Sequence, residues 1–138
     1  MEWNKLTDHF TMHNKITIPC IGYGTYKTSE EEVYGAVISA VKAGYRHIDT
    51  AAFYRNEAGI GRAIRECGVP REELFITSKV WNTDRGYEKT KKAFADSMER
   101  LGLAYLDLYL IHWPANKKQF GDEAKKINAE TWKAREEL

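Results

Sequence analysis

Tyr45-Arg46-His47-Ile48-Asp49 and Leu74-Phe75-Ile76-Thr77-Ser78-Lys79-Val80 are two β-rich runs, and what lies between them decides the fold. Asn56 opens a helical pattern in which Ile60, Ala63, Ile64 and Cys67 share one face, Gly68 stops it, and Pro70 lies just beyond. Strand, helix, strand is a βαβ unit, which makes parallel strands with a right-handed crossover. Working outward, the same alternation continues on both sides. Upstream, Ser29 and Glu32 form a capping box, Val33, Val37, Ile38 and Val41 recur at helical spacing, and Gly44 closes the helix. Before it, Cys20-Ile21-Gly22-Tyr23-Gly24-Thr25 reads as a short strand. Downstream, a helix is expected over 88–101, ended by Gly102, then a strand Leu106-Asp107-Leu108-Tyr109-Leu110-Ile111, a polar loop, and a helix from Asn128 to the end of the chain. At the front, residues 10–18 read as a hairpin turning at Asn14, with Pro19 ending its pairing.

The predicted strands end near residues 22, 49, 79 and 111, at spacings of 27, 30 and 32. Such regularity belongs to a (β/α) barrel or a doubly wound sheet. Gly22-Tyr23-Gly24 lacks the third glycine that opens the helix in a dinucleotide fingerprint. A full barrel takes eight units and about 250 residues. With 138 residues this chain supplies four. The expected fold class is therefore α/β, of the TIM (β/α)8-barrel type, with the first four β/α units present after an N-terminal hairpin. Residues 1–138 are expected to be one domain, the N-terminal half of a barrel, stopping inside the fourth helix.

Composition narrows the function. Lys+Arg number 21 against 20 Asp+Glu, a net charge of +1, which excludes a strongly basic nucleic-acid binder and an acidic disordered tail. No apolar run approaches the ~20 residues of a membrane span, and residues 1–10 lack the basic start and apolar stretch of a signal peptide. Cys20 and Cys67 form no CxxC or zinc spacing and read as free thiols of a reducing cytoplasm. The histidines are too scattered for a metal site.

In barrels the chemistry sits at the C-terminal strand ends. Asp49 ends the second strand, Lys79 the third and His112 the fourth, and Tyr54 follows in the loop over the same end. Neighbouring strands lie about 4.8 Å apart, so three consecutive ends converge within roughly 10 Å. Each residue has an ordinary alternative: Asp49 a turn cap, Lys79 a snorkelling surface chain, His112 a satisfied core histidine, Tyr54 a packing aromatic. Together they suit proton donation. An ammonium beside a phenol favours the phenolate, a carboxylate orients the ammonium, and an imidazole can donate to a substrate oxygen. That equipment protonates an oxyanion as it forms, as carbonyl reduction requires.

Gly44-Tyr45-Arg46-His47-Ile48-Asp49-Thr50-Ala51, with Tyr54, Asn56-Glu57 and Gly61, resembles the first signature of the aldo-keto reductase superfamily. Thr77-Ser78-Lys79-Val80-Trp81-Asn82 and Leu106-Asp107-Leu108-Tyr109-Leu110-Ile111-His112-Trp113-Pro114 resemble its next two landmarks, and Trp81-Asn82-Thr83-Asp84-Arg85-Gly86-Tyr87 is similar to bacterial reductases of the 2,5-diketo-gluconate and prostaglandin-F-synthase-like type. The resemblance implies an NADPH-dependent oxidoreductase reducing aldehydes and ketones. It implies Tyr54 as proton donor, Lys79 as the residue that eases its proton release, Asp49 as the holder of Lys79, and His112 orienting the carbonyl. Gly24, Thr25 and Asp49 would meet the nicotinamide-ribose end of the cofactor. Tyr26, Trp81 and Trp113, with His112, would wall the substrate pocket. In the family the remaining cofactor groups, including the clamp for the adenosine 2′-phosphate, belong to the second half of the barrel. The other expectation is an inactive fragment or a self-associating half barrel, pairing through its two open edge strands. Arg135 departs from the family, which usually carries an apolar residue there, and a weakened inward face of the last helix is expected.

Overall fold

The computed structural model describes residues 5–138; the first four residues of the segment read above for a signal peptide lie outside it. Strands β1 (His9–Thr11) and β2 (Thr17–Pro19) form an antiparallel hairpin. Strand β3 (Tyr23–Gly24), helix α1 (Glu30–Lys42), β4 (His47–Asp49), α2 (Glu57–Glu66), β5 (Phe75–Val80), α3 (Tyr87–Leu101) and β6 (Leu108–Ile111) alternate, and α4 (Lys117–Phe120) and α5 (Glu123–Glu136) follow. The second sheet is parallel throughout, in the order β3-β4-β5-β6, which is the first four units of a (β/α) barrel in sequence order. The hairpin shares a cleft with Arg46, Leu74, Phe75 and Asp107, so it sits at the N-terminal end of the strands.

Local chemistry explains the helix bounds. The Glu32 amide donates to the Ser29 hydroxyl at 3.3 Å, and that hydroxyl donates to the Glu32 carboxylate at 3.0 Å. Gly44, with φ of 106°, takes the chain out of α1. Val33, Val37, Ile60 and Ile64 pack from α1 and α2 onto Ile48 and Ile76 of the sheet, and Leu101 closes this core from α3. Helices α2 and α3 approach so closely that a Cβ at Gly61 would lie 1.9 Å from the Leu101 carbonyl oxygen. Because side chains alternate along a strand, Ile48, Ile76, Ser78 and Val80 facing the helices leaves His47, Asp49, Thr77 and Lys79 on the other, inner face.

Four expectations need correction. Pro19 belongs to the hairpin, opposite His9, and the Cys20 amide continues the pairing by donating to the Asp8 carbonyl at 2.8 Å. Proline lacks a donor, but this outer position needs none. The polar segment before residue 128 is helical: Asn116 caps α4 by accepting from the Gln119 amide, Gly121 ends it, and α5 begins at Glu123. Glu123-Ala124-Lys125-Lys126 are good helix formers, so polarity alone was a poor sign of a loop. The barrel strands are shorter at their starts than the apolar runs, and β6 has four residues. Arg135 does not weaken the inward face of α5. Its Nε donates to the Tyr109 carbonyl at 2.6 Å, tying the helix to the edge strand. Among the described residues no helix is long and apolar enough to cross a membrane.

Candidate active site

Asp49 and Lys79 stand at the C-terminal rim on the inner face. Register sets Gly24 against Asp49, Asp49 against Thr77 and Lys79 against Leu110. The Lys79 ammonium donates to Asp49 Oδ1 at 2.6 Å and to the Thr50 carbonyl at 2.8 Å. Tyr54 hangs over this pair from a 3-10 turn, Ala52–Tyr54, which Arg55 closes in the left-handed region at φ of 56°. Lys79 Nζ lies 5.2 Å from the centre of the Tyr54 ring. A hydrogen bond from Lys79 to the Tyr54 phenol, which the expected roles invite, is not formed. The ammonium is drawn instead to the carboxylate and the carbonyl, and it meets the π-face of the ring. The phenol oxygen stays without a hydrogen bond among the described residues.

His112 approaches Tyr54 edge-on, with ring centres 5.7 Å apart. Burial first, and the Lys79 charge second, hold its imidazole below the ordinary value, while Asp49 pulls the other way. A neutral imidazole has one donor and one acceptor nitrogen. Its Nδ1 is buried and has no hydrogen-bond partner among the described residues.

Tyr26, Phe53, Tyr54, Trp81, His112 and Trp113 line a cleft of about 230 Å³. The three aromatics expected from sequence are all here, with Tyr26 and Trp113 well exposed. Phe53 was missed. It stacks on Trp81 at 3.8 Å with an interplanar angle of 20°. Its one sequence signal is adjacency to Tyr54 in the rim loop. Arg85 ties two walls together, donating to the Asn82 carbonyl at 2.8 Å and to the Trp113 carbonyl at 3.2 Å.

Gly24 borders open space, since a Cβ there would meet nothing within 4 Å. Thr25 is fully buried, and its hydroxyl and amide both donate to the Asp49 carbonyl at 3.0 Å. Its hydroxyl proton is therefore spent inside the fold. Asn56, read from sequence only as a helix start, makes no capping bond. Its amide reaches the Thr25 and Thr28 carbonyls, each at 3.0 Å, and accepts from the Thr50 hydroxyl at 2.9 Å.

Four parallel β/α units with ionisable and aromatic groups gathered on the C-terminal rim define one half of a (β/α)-barrel scaffold. Residues 20–138 match the sequence pattern of the Aldo/keto reductase family, and the chain belongs to that family. It is 54% identical over 129 residues to a 9,11-endoperoxide prostaglandin H2 reductase of Trypanosoma cruzi, covering 93% of this chain and 42% of that protein. It is 52% identical over 134 residues to a glyoxal reductase of Bacillus subtilis, covering 96% of this chain and 45% of that protein. A crystal structure of a Bombyx mori aldo-keto reductase in complex with NADP superposes with a TM-score of 0.84 at 37% identity, over 97% of this chain and 47% of that one. The chain thus spans a little under half the length of these relatives.

Proposed function

We propose that this chain carries the proton-handling half of an NADPH-dependent aldo/keto reductase, which reduces aldehydes and ketones to alcohols. One observation carries the reading: a carboxylate-held ammonium lies under the ring of Tyr54, whose hydroxyl is otherwise unengaged, with the His112 imidazole beside it. Tyr54 donates the proton to the carbonyl oxygen as negative charge develops there. The Lys79 charge stabilises the phenolate left behind, and Asp49 holds Lys79 in place beneath the ring. His112 donates a hydrogen bond to the same carbonyl oxygen and sets its direction. Tyr26, Phe53, Trp81 and Trp113 pack against the rest of the substrate and keep water off the reacting carbon.

A nicotinamide cofactor supplies the hydride when bound. The open space at Gly24 and the Asp49 carboxylate, only one oxygen of which is taken by Lys79, suit its nicotinamide-ribose end. Thr25 serves by holding the Asp49 backbone. The free thiols Cys20 and Cys67 suit a reducing cytoplasm. A small carbonyl compound is the proposed substrate, in keeping with the glyoxal reductase among the relatives.

The test is turnover of glyoxal with NADPH by a complete barrel containing this chain. Activity abolished by Tyr54→Phe supports the reading, and unaltered turnover in that variant overturns it. The 138-residue chain alone should turn over little, because the hydride donor must be held within about 3.5 Å of the carbonyl carbon by groups mostly outside it. A second reading, a self-associating half barrel, rests on β3 and β6 each having one neighbour in the sheet. Sedimentation of the chain across a concentration series distinguishes a monomer from such a pair.

A further inference from the structure

We infer that Asn56 is a positioning residue for the Lys79–Tyr54 pair, setting where the ammonium sits by holding both of its acceptors at once. This rests on the function proposed above, which it deepens.

Asn56 is fully buried and occupies the N-cap of α2, where an asparagine usually satisfies a free helix amide. It makes no such bond. Its side-chain bonds go elsewhere. Both amide hydrogens of Nδ2 go to carbonyls, those of Thr25 and Thr28 at 3.0 Å, and Oδ1 accepts from Thr50 Oγ1 at 2.9 Å. Those partners fix the amide's orientation, since a carbonyl can only accept. Two of these bonds, those to Thr50 and Thr25, lead to Lys79. Thr50 offers the ammonium its carbonyl at 2.8 Å. Thr25 donates through both its amide and its hydroxyl to the backbone carbonyl of Asp49, whose carboxylate holds the ammonium at 2.6 Å. Asn56 also lies two residues after Tyr54, across the left-handed Arg55, so anchoring it fixes the turn that carries the phenol. A helix cap would have served α2 alone. The observed bonds join three segments of the rim.

The test uses the 138-residue chain with 15N-labelled lysine. The readout is hydrogen exchange of the Lys79 ammonium at low temperature and near-neutral pH, with the signal assigned by its loss in Lys79→Met. Asn56→Ala should speed that exchange by about tenfold or more, because both acceptors are released. Thr50→Val, which keeps the carbonyl and loses only the hydroxyl, should give a smaller increase. Val37→Ala, a truncation in the core behind the sheet, should lower the melting temperature without changing the exchange. Exchange in Asn56→Ala as slow as in the parent, or equally fast in Val37→Ala, overturns the inference. If Asn56→Ala does not fold, Thr50→Val decides: faster exchange supports the role, and unchanged exchange refutes it. Faster exchange alongside full turnover in Tyr54→Phe would keep this role and remove the catalytic one, so the two failures are distinct.

Discussion

The two ends of the parallel sheet each carry an ion pair of nearly the same length, Arg71–Asp107 at 2.7 Å and Lys79–Asp49 at 2.6 Å. At the N-terminal end almost every bond is spent on the backbone. Arg71 donates to the carbonyls of Leu74 at 2.7 Å and Tyr105 at 3.0 Å and lies over the Tyr105 ring, with only Nε left without a partner. Asp107 also accepts from the Ile76 amide at 2.8 Å. At the C-terminal end the ammonium has one backbone partner, the Tyr54 phenol oxygen has no hydrogen bond among the described residues, and His112 Nδ1 has no partner. The lesson is that length does not separate the two ion pairs. What separates them is how the surrounding bonds are spent: Arg71 and Asp107 are tied to three backbone groups, whereas Lys79 has one backbone carbonyl and faces an aromatic cleft.

The comparison can be broken by mutation. The largest effect is expected in a complete barrel, where Tyr54→Phe should lower turnover by about 10²–10⁴-fold, the usual worth of a general acid. Its melting temperature should stay near the parent's, because the lost oxygen bonds nothing in the fold. Next, Asp107→Ala should destabilise the chain by about 2 kcal/mol, since it strands a half-buried guanidinium and an amide. Asp49→Ala should cost under about 1 kcal/mol, because the Asp49 carboxylate is itself a third exposed, bonds no backbone amide, and leaves Lys79 the Thr50 carbonyl. Urea denaturation of both variants checks this, and the opposite ranking would break the distinction between the ends. Arg135→Leu should cost about 1 kcal/mol by removing the tie to the Tyr109 carbonyl; no loss of stability would show that this bond does not hold α5 to the edge strand.

The smallest effect is a pH dependence. Burial holds His47 below its ordinary value of 6.5, with Asp49 and Asp107 raising it and Lys79 lowering it further. The folded chain therefore takes this proton less readily than the unfolded chain. As pH falls below 6.5 the unfolded state binds more protons, so stability should decline. His112 is shifted in the same direction. Melting temperatures between pH 8 and pH 5 should fall with acid, and His47→Asn should flatten part of the slope. A stability that rises on acidification would contradict the assignment.

Much of this was legible in the sequence. The capping box at Ser29 and Glu32, the glycine at 44 and the β-rich runs of β4 and β5 are local signals, and they place Asp49 and Lys79 at one rim. The start of α5 was misread because helix propensity and loop polarity overlap in the Lys-rich segment before residue 128. Phe53 was missed because nothing nearby in sequence announces its partner Trp81.

By itself, then, the sequence determined the order of strands and helices, the family, and the rim on which the ionisable residues gather. These depend on periods of two and 3.6 residues and on short turn chemistry, all settled within a few positions along the chain. Only the tertiary structure decided that Lys79 bonds Asp49 and Thr50 while facing the ring of Tyr54, that Asn56 gives up its helix cap for carbonyls 28 and 31 residues away, and that Arg135 reaches the Tyr109 carbonyl. Each is a choice among competing acceptors brought together by the crossovers, and a hydrogen bond goes to the partner at the right distance and angle, which sequence spacing does not set.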